Sequence, residues 1–420
     1  MGNTDWDWNV GKRNCSDLAS LRSRCASLEE YTVSPDGETL AAVVKTEDDA
    51  FAVHLNDKTW PDTFELCWYL RFSPAGALIA LVRIDDEWTI AVDGEAWEER
   101  FEYAWNPLFS ANGRAIALAY KRDNLYGVAV DGRTWDKGFP AIRDVCLSPD
   151  GTKAAATVQL TALKEADVFG FFKGVWSVAV DGTEWPERFI NAWNPSFSPD
   201  NALVAAEIRT DICDYSIAIN GKPWQSRYGC VWSPAFHPRD GSVIAPARRE
   251  GNWMLLRNDT PAWNRRYNQL WHQVFSPDGS KIAAVVSPRY GKWTIAVDDR
   301  PWNKLFSDMV LAPRFSADGT RVAAAVKHNG RWAIAIDGRP GADSFDMVWE
   351  PVFSPCGRHV LAMAELQGRY CVVVDGKRRE KMFEKLWNPV FSPDGTRVLL
   401  RYIEGGAYYR EVVPADSLFT

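Results

Sequence analysis

Eight cysteines (Cys15, Cys25, Cys67, Cys146, Cys213, Cys230, Cys356 and Cys371) and five histidines (His54, His237, His272, His328 and His359) are the side chains that could ligate a transition metal or serve as nucleophile and base. Zinc and c-type haem need ligands at short, fixed spacing, and no C-x-x-C or C-x-x-C-H occurs. An iron–sulfur cluster needs grouped cysteines, and these are scattered. No G-x-S-x-G, phosphate loop or paired-carboxylate pattern stands out either. The thiols read as reduced and mostly buried. The sequence therefore offers no catalytic residue, no cofactor-binding residue and no metal site, and an enzyme is not expected.

What does recur is Asp, in turns, and Trp, of which there are 21. The tetrad Ser-Pro-Asp-Gly or a close variant begins at Ser34, Ser73, Ser110, Ser148, Ser198, His237, Ser276, Ser316, Ser354 and Ser392. Successive spacings are 39, 37, 38, 50, 39, 39, 40, 38 and 38. Proline presets φ and glycine accepts φ > 0, so each tetrad joins two strands, and a second turn, Asp-Gly in five units, follows. Four short strands in about 38 residues make one antiparallel blade, and a train of them makes a β-propeller. The chain reads as all-β, a β-propeller of about ten four-stranded blades. The spacing and the aromatic slots stay regular through the middle of the chain, which favours one ring over two five-bladed rings. The last unit stops near Val413 after three strands, so closure is expected to borrow a strand from the N-terminal side.

Nineteen of the 21 Trp fall in three slots of the repeat. One opens the third strand (for example Trp88 and Trp293), one follows the Asp-Gly turn (Trp60, Trp97, Trp135, Trp185, Trp224, Trp263, Trp302), and one precedes the tetrad by five residues (Trp68, Trp105, Trp193, Trp232, Trp271, Trp349, Trp387). A ligand site needs one place, whereas packing needs the same residue in every blade. The indoles therefore read as wedges between blades rather than a sugar-binding ladder or an electron relay.

Three places break the repeat. The fourth unit is about 12 residues longer than its neighbours, the excess lying in 159–174, where Phe169, Phe171 and Phe172 cluster. Insertions on a rigid scaffold are where binding concentrates, so these three are the first candidates for partner contact. Residues 1–30 form an N-terminal extension outside the repeat (31–420). A helix is predicted over 17–30, with Ser16 as its cap, and Trp6 and Trp8 beside it are candidate docking residues. Repeats eight and nine lose the Trp after the turn, and Arg378 and Arg379 there form a basic patch suited to an acidic partner.

The net charge of −7 argues against a nucleic-acid binder, no apolar run approaches the length of a membrane span, and the first residues lack an apolar signal region. A cytoplasmic protein, peripheral at the membrane through its partners, is expected.

The phrase Phe-Ser-Pro-Asp-Gly-Thr-Arg-Val (Phe391 to Val398) resembles the repeat of WD40-like propellers of the TolB type, over roughly residues 30–413. The Trp-Asp pair that ends the third strand and the Gly-His pair of true WD40 repeats are missing, and an export signal like that of the TolB protein is not expected. In size, Trp content and leaderless start the chain also resembles the tryptophan-rich propeller subunit of the transmembrane electron-transfer complex of sulfate-reducing bacteria. That resemblance implies a noncatalytic scaffold subunit with no cofactor of its own, docked on the cytoplasmic side beside iron–sulfur and membrane cytochrome b subunits and serving sulfate respiration. It transfers no functional residue. A carbohydrate or small-ligand binding propeller is the alternative, and a propeller enzyme the more distant one.

Overall fold

The computed structural model describes residues 5–165 and 167–419. It contains ten separate antiparallel sheets. In chain order these are blades 1 to 10: residues 27–59, 66–96, 103–134, 141–184, 191–223, 230–261, 269–301, 309–340, 347–383, and 385–414 joined by 11–17. The fourth strand is two residues long in blades 1 to 8. It continues past a gap to one further bridge, as where Phe51 and Phe64 exchange N–H···O bonds of 2.8 Å.

The second strands explain the stacking. Leu40–Lys45, Leu78–Ile84 and Val322–His328 are runs of small and β-branched apolar residues, buried on both faces because each blade has a neighbour on each side. Ten apolar clusters each join two consecutive blades. They run from Val43, Trp60 and Leu78 between blades 1 and 2 through to Met363, Phe383 and Leu400 between blades 9 and 10. The tenth packs Ile403 and Tyr408 of blade 10 on Val33, Leu40 and Val44 of blade 1. A chain of ten contacts that returns to its start is one closed ring, so the two-ring alternative is excluded.

Closure is by strand exchange. Gly11–Asp17 pairs antiparallel with Ala407–Pro414 and completes blade 10 as its fourth strand. This removes the sheet edge that an unfinished last blade would expose. Arg401, buried in blade 10, donates to the carbonyls of Ser34 and Pro35 in blade 1 at 3.1 Å and to Asn388 at 2.9 Å. Tyr408 Oη donates to Gly37 O at 2.8 Å.

The predicted helix over 17–30 is much shorter. Helix α1 spans Leu18–Arg22, and its cap is Asp17, which accepts from Ser20 N at 2.9 Å; Ser16 lies in the closing strand. Ser27–Val33 is taken as the first strand of blade 1, pairing with Leu40–Lys45. Residues 11–17 and 27–30, read from the sequence as an extension, are thus parts of the ring. The apolar spacing of Leu18, Leu21, Cys25 and Leu28 suits a helix, but the sheet's demand for a partner strand overrides it.

The first strands of neighbouring blades approach one another, as 27–33 does 66–72 and 141–147 does 191–197, so they line the axis of the ring. The turns after the first and third strands gather on one face, called here the turn face. The loops after the second strands gather on the other, the loop face.

Candidate functional site

The recurring aspartates are committed to turns. In the seventh tetrad Ser276 Oγ donates to Asp278 Oδ1 at 2.5 Å, which also accepts Ser280 N at 3.1 Å, while Ser276 Oγ accepts Lys281 N at 3.0 Å. These hydrogen bonds hold such carboxyls well below the usual range; Asp318 and Asp394 are lowered to about 2. The Asp of the second turn is likewise clipped. Asp298, at φ +46°, donates its N–H to Ile282 O and accepts Ile282 N on Oδ1, both at 2.9 Å.

The Trp after that turn packs against the turn of the next blade. The indole of Trp60 lies where a Cβ on Gly94 (φ +95°) would meet it at 3.2 Å, and Trp302 stands the same way to Gly338. Only glycine fits there on both counts, the left-handed φ and the aromatic ring. The Trp of the first strand lies across the aromatic that opens the third strand of the same blade, as Trp232 on Trp253 (5.3 Å, 3°) and Trp271 on Trp293 (4.8 Å). Two of these first-strand indoles are substantially exposed, Trp68 at 42% and Trp232 at 41%.

A polar belt lines the axis. The residue after the first-strand Trp slot has left-handed φ in Tyr69, Asn106, Asp144, Asn194 and His272, where the strand bulges. From this position side chains reach the next blade. Glu30 accepts Leu70 N at 3.1 Å and pairs with Arg71; Tyr69 donates to Pro107 O at 3.1 Å; Asp144 accepts Asn194 N at 3.3 Å. In blade 4 Arg143 occupies the Trp slot, its guanidinium 4.0 Å from the centre of Trp176 and 5.4 Å from that of Trp193. In blade 5 the buried Glu207 accepts from Asn194 Nδ2 at 2.8 Å and Ser233 Oγ at 2.9 Å, and desolvation with the nearby Asp144 raises its pKa. Beside it Trp232, Ser233, Trp271, His272 and Gln273 line a cavity of 380 Å³. Burial lowers the pKa of His272, so its imidazole is neutral at physiological pH. The sequence signal for Glu207 was a carboxylate in a second-strand slot that holds Val43, Leu81 and Ala119 elsewhere.

The insertion of blade 4 forms helix α2, Val168–Phe172, on the loop face. Asp167 caps it, accepting Gly170 N at 2.8 Å. Leu160 N bonds to Val175 O at 2.7 Å, and Gly174 lies so close to the Phe189 backbone that a Cβ would sit at 3.0 Å, so the base of the insertion is fixed. The helix itself buries no residue: Phe169 is 85% exposed, Val168 55% and Phe172 42%. Phe171 is half-buried against the edge of Phe172 at 5.6 Å.

The other predicted contacts lie apart from α2. Trp8 is buried on Leu399 and Val412 of blade 10, with Trp6 stacked on it at 5.9 Å. These two indoles hold the N-terminal segment on the ring rather than presenting it. Arg378 and Arg379 belong to Lys377–Phe383, an unusually long fourth strand, where Arg378 N donates to Asp343 Oδ2 at 2.7 Å. Of the thiols, Cys67 and Cys371 are buried and pushed up by desolvation to about 12 and about 11, whereas Cys213 and Cys356 are exposed. Among the described residues no three His, Cys, Asp or Glu side chains come together as metal ligands, and no helix is long and apolar enough to cross a membrane.

Ten four-stranded antiparallel blades, closed in a ring by an N-terminal strand, define the class: the chain is a ten-bladed β-propeller. No family model matches it, and no curated protein does. Among solved structures it is similar to a eukaryotic initiation factor (15% identity, 78% of this chain and 89% of that one, TM-score 0.48) and to the Dos1 propeller (10% identity, 72% and 90%, TM-score 0.40). At these identities and scores neither likeness carries a functional implication.

Proposed function

We propose that the chain is a noncatalytic interaction platform whose partner docks on helix α2. The observation that carries this reading is the exposure of Val168, Phe169 and Phe172 on a helix that buries nothing of its own, set on a fixed base in the one blade with a long insertion. A large exposed aromatic surrounded by polar surface is the type of group that anchors a protein interface. The recurring Asp serve the turns, as Asp278 and Asp298 do. The partner we favour is a membrane-associated redox complex with iron–sulfur and cytochrome b subunits, engaged from the cytoplasmic side. Its support is the resemblance in size and tryptophan content. A carbohydrate or small-ligand role has one observation in its favour, the exposed indole of Trp232 at the rim of the 380 Å³ cavity.

The test is to replace Leu160–Lys173 by a four-residue turn and purify wild-type and trimmed chains from the native host in mild detergent. The trimmed ring should melt as the wild type does and lose the co-purifying subunits. Equal recovery of subunits with both chains would refute docking at α2, and recovery of the wild type alone would refute the redox-complex reading.

A further inference from the structure

The wedge after the second turn is a Trp in blades 1 to 7, but blade 8 has Gly341 there. The neighbouring turn has moved in: a Cβ on Gly341 would lie 2.5 Å from Gly376 Cα. Beside it, on the turn face between blades 8 and 9, lies a cavity of 370 Å³; the slot that keeps its Trp between blades 3 and 4 holds one of 470 Å³, so the two differ in their lining and not in space gained. Ile334, Ile336, Pro340 and Ala342 contribute apolar wall, Arg321, Arg339, Arg358 and Lys377 bring positive charge to it, and Asp375 is the one carboxylate in the lining.

The repeat supplies its own control. The corresponding cavity between blades 3 and 4 is lined by Asp131, Arg133, Trp135, Asp136, Thr152 and Asp181 among others, one cation against three carboxylates. Aligned by their turns, Trp135 becomes Gly341, Asp136 becomes Ala342, Thr152 becomes Arg358 and Thr183 becomes Lys377. Four changes at one slot remove an indole and a carboxylate and add two cations, in a chain whose net charge is −7.

The carboxylates at and beside the cavity all have partners, and one of them offsets the charge of Arg321. Asp337 pairs with Arg321 at 2.9 Å, Asp375 with His359 at 2.7 Å, and Asp343 accepts Arg378 N. Among the described residues the side chains of Arg339, Arg358 and Lys377 have no ion-pair or hydrogen-bond partner. Like charges gathered around a concavity repel one another unless an anion joins them. We infer that this cavity binds a small phosphorylated molecule carrying at least two negative charges, its phosphate oxygens between Arg339, Arg358 and Lys377. Two guanidinium forks match phosphate oxygens in geometry, and the cavity is far too small for a folded acidic partner. The site lies on the face opposite α2 and does not depend on the docking role assigned there.

The probe is inorganic pyrophosphate, titrated calorimetrically into the intact chain at low ionic strength. One site per chain is expected, weakening as salt is added. Arg358→Gln with Lys377→Gln should weaken binding by about tenfold or more and leave the melting temperature without ligand unchanged, since both residues are exposed. Arg133→Gln, at the control slot, should bind as the wild type does. Absence of heat at millimolar pyrophosphate, or equal affinity in the double variant, would overturn the assignment. So would an equal loss in Arg133→Gln, which would mark a diffuse surface effect.

Discussion

If the indoles of the second slot are wedges under the next blade's turn, then Trp60 and Gly94 should be energetically coupled. Trp60 is buried, meets Phe64 edge-on at 6.3 Å, and covers Gly94 closely enough that a Cβ would lie 3.2 Å from its ring. Trp60→Ala removes a buried indole and leaves a void, at a cost of about 3–5 kcal/mol. Gly94→Ala suffers twice: about 1–2 kcal/mol for an L-residue at the left-handed φ of +95°, and about 1–3 kcal/mol for pressing the Cβ into the indole. In the Trp60→Ala background only the first cost survives. The double variant should therefore be more stable than the sum of single effects implies, by about 1–3 kcal/mol. Urea unfolding followed by far-UV circular dichroism and by intrinsic fluorescence measures all four corners, and coincidence of the two probes licenses the comparison. Additivity within about 0.5 kcal/mol would refute the wedge. A loss below about 1 kcal/mol for Trp60→Ala alone would return the indole to the surface ladder that a sugar binder requires.

Two further outcomes follow from the belt and from the closure. Burial raises the pKa of Glu207 above its ordinary 4.5, so between that value and the raised one the native state holds a proton the unfolded chain has lost; stability must then fall as pH rises through that window. Glu207→Gln keeps an oxygen for Asn194 and Ser233 and should flatten this part of a melting-temperature profile taken from about pH 4 to about pH 8, and an unchanged slope would assign the effect to other groups. Arg401→Met strips the carbonyls of Pro35 and Asn388 of a buried donor, while Ser34 O keeps the N–H of Gly37 at 3.0 Å. At about 1–3 kcal/mol per orphaned group it should cost about 2 kcal/mol or more in urea unfolding, and a loss under about 1 kcal/mol would show that closure rests on strand pairing alone.

The parts of this architecture that were legible in the sequence are the parts fixed by short-range chemistry. Ser276, Asp278 and Lys281 settle a turn among themselves within six residues, and ten such turns announce ten blades. The borrowed strand was legible too, because blade 10 lacks a fourth strand and a sheet edge must be paired. The fate of Ser27–Glu30 was not legible, since their helical spacing yields to a partner strand that begins at Leu40. Trp8 looked available for docking because no repeat claims it, yet it fills a hollow formed by Leu399 and Val412, almost 400 residues along the chain. The positive charge near the ninth repeat is only partly local in sequence. Arg378 and Arg379 are conspicuous as neighbours in sequence, but the charges that share a cavity, Arg339, Arg358 and Lys377, come from three turns.

Loss of the wedge in repeats eight and nine has two different causes, and separating them locates the ligand site. In blade 9 the slot is vacated by necessity. A wedge there would have to sit under the turn between the third and fourth strands of blade 10, and blade 10 has no such turn, its fourth strand being Gly11–Asp17 from the other end of the chain. The long strand Lys377–Phe383 runs on in its place, Phe383 pairing with Tyr370 and Lys381 Nζ bonding to Glu411 Oε2 at 3.0 Å. In blade 8 no such necessity exists, because blade 9 has an ordinary turn at Asp375-Gly376. A Trp could have stood at 341 as it does at 302, with the turn at its usual remove. Packing thus accounts for the missing indole of blade 9 and leaves that of blade 8 unexplained. The unexplained one is also the one whose cavity exchanges an indole and a carboxylate for cations. A repeat protein is stabilised by sameness from blade to blade, so a departure that packing does not demand marks a place where binding has set the residues.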